Sequence, residues 1–169
     1  MKIVLTGSIG RINLPLAKRL LDKGHALTII SSAAERQPTI EALGAKAAIG
    51  SVMDEVFLKQ TFTGADIVYL MKPPFDFTNQ SLDPFRFWRD ISTCYFKAVQ
   101  AAQVKKIVHL SSIGAYRSDG VGILGAHYEA EKILTDLPKG FVTIKQETHM
   151  RRIRRGLYLD FIRCHSKGE

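Results

Sequence analysis

Cysteine is nearly missing from this 169-residue chain: Cys94 and Cys164 stand far apart and fit no metal or redox spacing. A disulfide framework and a cysteine-held metal are therefore not expected, and the scarcity suits a reducing compartment. Long apolar runs are missing too. No stretch approaches the roughly 18 apolar residues of a membrane span, so no membrane association is expected. The start, with one lysine and the short run Ile3-Val4-Leu5, lacks the pattern of a secretory leader. These absences together predict a cytoplasmic location. The five histidines (His25, His109, His127, His149 and His165) show no ligand spacing except His127 with Glu131. One such pair reads as a surface charge pair, and no metal is expected. Acidic side chains number 16 against 24 basic ones, a formal net charge of +8. The imbalance is uneven, since residues 141–169 hold 7 basic and 3 acidic side chains.

What is present is ordinary for a soluble globular domain: 46% apolar and 24% charged residues, in a length suited to one core. The first two dozen residues organise the rest. Ile3-Val4-Leu5 reads as a strand buried on both faces of a parallel sheet. It breaks at Thr6-Gly7, and Ile12, Leu16, Leu20 and Leu21 then fall on one face of a helix, with Pro15 in its opening turn. Strand, glycine turn and helix together place backbone N–H groups and a helix dipole against a phosphate. Gly7 allows the tight turn, and Gly10 lets a pyrophosphate approach without meeting a Cβ. The predicted dinucleotide contacts are Gly7, Ser8, Ile9, Gly10, Arg11 and Ile12. Asn13 stands where a third glycine usually packs helix on strand, which predicts a slightly displaced helix.

The second strand, Ala26 to Ile30, ends where such sites choose between cofactors. A carboxylate there would hold the ribose 2′-OH of NAD. Ser31 and Ser32 occupy the position instead, with Arg36 shortly after and Arg11 in the turn. Two guanidinium groups with no opposing carboxylate suit a 2′-phosphate. NADP(H) is favoured over NAD(H).

Strands and helices then alternate. A short helix over 39–43 is followed by a strand over 45–50, a helix over 54–61 and a strand over 66–71. This is the rhythm of successive βαβ units in a right-handed parallel sheet. The predicted class is α/β, a Rossmann-type doubly wound parallel sheet in a three-layer αβα arrangement. Met71 and Lys72, at the end of the fourth strand, are assigned to the cofactor, since open α/β sheets bind ligands at that edge. The loop over 72–84, with Phe75 and Phe77, either closes over the nicotinamide half or docks its rings on the core. In the next helix, over 85–103, Phe85, Trp88, Tyr95 and Val99 form a stripe that reads as core or as a dimer seam.

A fifth strand, 106–112, ends in Ser111-Ser112, and a glycine-rich run leads into a helix over 126–137. That helix carries Tyr128 and Lys132 at i and i+4, on one face. An ammonium there would lower the phenol pKa and a serine would orient a carbonyl, so Tyr128, Lys132 and Ser111 are the candidate catalytic residues.

These features resemble the NmrA-like NAD(P)-binding branch of the atypical short-chain dehydrogenases/reductases. The likeness is carried by Thr6 to Ile12, by Ile29 to Ser32, and by Ala42 to Gly50 before Asp54. It continues through Phe62 to Asp66, Val108 to Ser112 and His127 to Lys132. The resemblance implies a Rossmann-type fold and bound NAD(P). It further implies either quinone- or azo-type reduction of a small substrate or a non-catalytic redox-sensing role with a regulatory protein partner. Members often keep the lysine without the tyrosine, so Lys132 is also assigned to the cofactor.

Residues 1–140 are predicted as the NAD(P)-binding domain and 141–169 as a last strand plus an atypical basic tail. The arginine-proline motif and substrate lobe that the resemblance implies after that strand are not found. The expectation is a truncated or frame-shifted remnant of the lobe. Four arginines over 151–155 could meet phosphates, but no nucleic-acid module surrounds them, and no nucleic-acid partner is expected. A monomer and a homodimer both stay open.

Overall fold

The apolar runs pair side by side into one all-parallel sheet whose strands follow the order β3-β2-β1-β4-β5-β6. The computed structural model describes residues 1–79, 81–137 and 140–146. In chain order the elements are β1 (Lys2–Leu5), α1 (Asn13–Asp22), β2 (Ala26–Ser31), α2 (Gln37–Ala42), β3 (Lys46–Ile49) and α3 (Glu55–Phe62). There follow β4 (Ile67–Leu70), α4 (Pro84–Ala101), β5 (Lys106–Ser112), α5 (Gly125–Thr135) and β6 (Phe141–Gln146). This is the doubly wound Rossmann-type arrangement, and the strand order reverses between β1 and β4.

Side-chain alternation along buried strands divides the core into two layers. Ile3, Leu5, Ile67 and Tyr69 face one side with Leu16 and Leu20 of α1 and Ile40 of α2. Val4, Val68 and Leu70 face the other with Phe62 of α3, Trp88 and Tyr95 of α4 and Leu134 of α5. The central strands are apolar on both faces because helices cover both. The α4 stripe is core: Trp88, Tyr95 and Val99 are buried.

Helix boundaries follow local chemistry. Asp54 caps α3 by accepting from Phe57 N at 3.0 Å, and Asp83 caps α4 by accepting from Phe85 N at 2.9 Å. The second helix starts earlier than the expected Thr39. A 3-10 turn at Ala34–Arg36 feeds into it, and Pro38 sits in the first turn, where its missing N–H costs nothing. The loop after β4 docks one ring on the core. Phe75 packs edge-on against Phe77, Phe87 and Trp88, and Trp88 Nε1 donates to Pro73 O at 3.1 Å. Phe77 is 65% exposed. Beyond the expected boundary at 140, β6 joins the same sheet in register with β5. The basic tail, residues 147–169, lies outside the described residues, with the readings attached to it.

Candidate active site

At the switch point, the turn leaving β1 is fixed mainly by backbone geometry. Gly7 has φ +77°, the left-handed region, and a Cβ there would collide with Met71 Cε. Around Gly10 a Cβ would meet nothing within 4 Å, so its surface is open to an approaching group. Ser8 Oγ is buried and, among the described residues, has no hydrogen-bond partner. No side chain caps the start of α1, where Leu14 N donates to Gly10 O at 3.0 Å and Pro15 has no N–H to satisfy. Arg11 is exposed beside them.

Asn13 does other work than the expected displacement of α1. It is fully buried, and its Nδ2 donates to Thr6 O at 3.0 Å and also to Gly7 O. An amide with two N–H donors thus ties the helix start to the two carbonyls that the bending chain takes out of the sheet. Behind the turn, Thr6 Oγ1 accepts from Met71 N at 2.7 Å, and Tyr95 Oη donates to Met71 O at 2.9 Å. The end of β1 is so joined to the end of β4.

At the end of β2, Ser31 is buried and its hydroxyl is engaged locally, accepting from Ala33 N at 3.2 Å. Ser32 and Arg36 are exposed.

Against the turn lies a cavity of about 250 Å³, lined by Ile12, Met71, Lys72, Leu110, Ser111, Ser112, Leu124 and His127. Ile12 and Met71 thus belong to both turn and cavity. Lys72 Nζ donates to Ala126 O at 2.6 Å and stands 5.2 Å from the Trp88 ring centre. Burial lowers its pKa to about 7, against the opposing pull of Glu131. Burial also holds His109 and His127 neutral, lowering them to about 3 and about 4, with Lys72 adding repulsion to both.

The predicted catalytic residues are partly separated. Ser111 lines the cavity and donates to Glu131 Oε1. Glu131 Oε2 pairs with Lys145 Nζ at 3.3 Å, and that ammonium also donates to Ala115 O at 3.1 Å. The Ser111–Lys145 register of β5 and β6 builds this triplet. Tyr128 and Lys132 meet each other instead: the ammonium lies 4.9 Å from the phenol ring centre, and Lys132 is exposed. Neither lines the cavity.

His127 and Glu131 correct the reading of a surface charge pair. One turn apart on α5, they face inward, His127 onto the cavity and Glu131 onto Ser111. The signal was the same i, i+4 spacing that drew attention to Tyr128 and Lys132, one residue out of phase. Among the described residues no cluster of three or more metal-ligating side chains occurs. No described helix is long and apolar enough to cross a membrane.

Comparison with known proteins agrees with this geometry. The NAD(P)H-binding family matches residues 6–140. No curated protein sequence matches the chain. Among solved structures, the Citrobacter sp. triphenylmethane reductase complexed with NADP(H) is similar at 15% identity and TM-score 0.72, over 86% of this chain and 49% of that one. An NADPH-dependent quinone oxidoreductase from Escherichia coli, complexed with NADPH, is 20% identical with TM-score 0.69, over 85% and 48%. A Bordetella bronchiseptica enzyme in complex with NAD is 19% identical with TM-score 0.68, over 86% and 52%. These likenesses establish the fold, and the chain spans about half the length of each of these proteins.

Proposed function

The chain belongs to this NAD(P)H-binding family, and from that membership we propose that it is an oxidoreductase of the NmrA-like branch acting on a small cytosolic substrate of quinone or azo type. The carrying observation is that Ile12 and Met71 join the glycine turn to the cavity. A dinucleotide on the turn would then reach the cavity with its reactive ring.

The residues present fit such a group. Among the described residues Ser8 Oγ lacks a partner, Gly10 leaves room at the backbone, and no side chain covers the start of α1. The bound cofactor would supply a hydride. Gly7 to Ile12 would hold its phosphates, Arg11 and Arg36 would receive a 2′-phosphate, and Met71 would flank the ring. Ser111, its hydroxyl hydrogen held by Glu131, would accept a hydrogen bond from a substrate or product hydroxyl. The preference for NADP(H) rests on the two arginines, since the similar structures include complexes with both cofactors.

One observation favours a second reading, an NAD(P)-dependent sensor acting through a protein partner. Tyr128 and Lys132 pair outside the cavity lining, so the expected acid is not at the site. Calorimetric titration with NADPH and NADH tests the common premise: NADPH at least about tenfold tighter is expected, and no binding of either to folded protein overturns it. An assay of NADPH oxidation with a quinone and an azo dye then separates enzyme from sensor.

A further inference from the structure

Among the described residues, Lys72 is the one cationic side chain lining the cavity. It leaves the C-terminal end of β4, and its ammonium is held by Ala126 O and the Trp88 ring. Among the described residues it forms no ion pair. Of the titratable groups acting on it, Glu131 of α5 is engaged on one oxygen by Ser111 and on the other by Lys145. The other two are bases, His109 of β5 and His127 of α5. A half-buried cation has therefore lost much of its water without gaining a counter-ion, an arrangement that costs stability. Such an uncompensated group in a cleft points to a ligand that completes it.

The wall around it describes that ligand. Ile12, Met71, Leu110 and Leu124 offer apolar surface, while Ser111, Ser112 and His127 supply polar groups near Lys72. We propose that the cavity takes a flat, mostly apolar ligand bearing an anionic oxygen, and that Lys72 Nζ holds that oxygen. The inference deepens the reductase reading by favouring substrates whose reduced form is an oxyanion, such as a hydroquinone anion. It rests on that reading for the reaction only, because the site stands on the cavity's own geometry. An anionic oxygen could also come from a cofactor phosphate, so the test must separate the two sources.

Calorimetry on the full chain with benzoate and its neutral isostere benzamide, at pH 6.5 and 8.5, provides that test. Benzoate stays ionised throughout, whereas Lys72, with its pKa near 7, loses charge over this interval. Benzoate should bind about tenfold more tightly at pH 6.5 than at pH 8.5, with proton uptake at the higher pH, and benzamide should show no such dependence. Lys72→Met should erase benzoate's advantage. Lys72→Arg should keep the advantage and lose the pH dependence, a pattern that a merely structural lysine would not give. Benzoate no tighter than benzamide in the native chain overturns the proposal. Displacement of benzoate by inorganic phosphate, which carries no ring to overlap it, also overturns it and gives Lys72 to a cofactor phosphate. Failure of the reductase reading would show separately, as absent NADPH binding with the benzoate result intact.

Discussion

The turn after β1 and the cavity against α5 meet at Ile12 and Met71, yet they are constructed in opposite ways. The turn comes from consecutive residues, Thr6 to Asn13, and its working parts are mainly backbone: a left-handed glycine, open space at Gly10 and an uncapped helix start. The cavity comes from side chains that β4, β5, the 3-10 turn Gly122–Leu124 and α5 bring together. In the turn Asn13 answers the Thr6 and Gly7 carbonyls, while Ser8 Oγ and Asn13 Oδ1 stay without a partner among the described residues. The cavity holds, among the described residues, a cation without a counter-ion and His127 with a bare Nδ1 atom. The contrast teaches that the phosphate end is shaped by backbone conformation and the chemical end by a desolvated charge that a ligand can relieve.

The sharpest way to break this division is at Gly7. Gly7→Val places a β-branched residue in the left-handed region and drives it into Met71. A loss of about 3 kcal/mol or more in denaturant unfolding is expected, with loss of NAD(P)H binding. Asn13→Ala leaves the Thr6 and Gly7 carbonyls without their donor and should cost about 1–3 kcal/mol by the same measurement. Lys72→Met should act in the opposite direction, raising stability at pH 7 by about 1 kcal/mol in chemical denaturation, because it removes a desolvated charge. If it destabilises instead, the ammonium is compensated and the contrast fails.

Acid should also fall on the cavity side. His109 and His127 titrate near 6.5 when unfolded, but in the fold they stay neutral down to about 3 and about 4. Below pH 6.5 the unfolded chain therefore binds protons that the folded chain refuses. Stability should decline as pH falls from 6.5 toward 4, which hydrogen exchange should detect first in β5 and α5. The smallest effect belongs to Tyr95→Phe. It removes one donor from Met71 O and should cost about 1 kcal/mol in thermal unfolding.

The same contrast explains what the sequence made legible. Gly7, Gly10 and the apolar strands could be read because backbone conformation and two-sided burial leave marks on consecutive residues. The parallel α/β class followed from them, whereas the strand order and the choice between core and dimer seam for the α4 stripe came only with the structure. The role of Asn13 was missed because its two acceptors are carbonyls, which every residue carries. Glu131 and His127 were misread because helical spacing gives a face but not its direction. Which face turns inward depended on Ala126, Ala130 and Leu134 packing against the sheet. Lys145 could not be connected with Ser111 until the register of β6 was known.

That register has a consequence for how the chain is made. A growing chain that has emerged only through α5 has β5 as an open strand edge and Glu131 without its lysine. Such an unfinished sheet invites pairing with a neighbouring chain. When β6 docks it pairs with β5, takes over the edge position and delivers the ammonium. The Ser111–Glu131–Lys145 arrangement therefore cannot be complete until residues 141–146 have emerged.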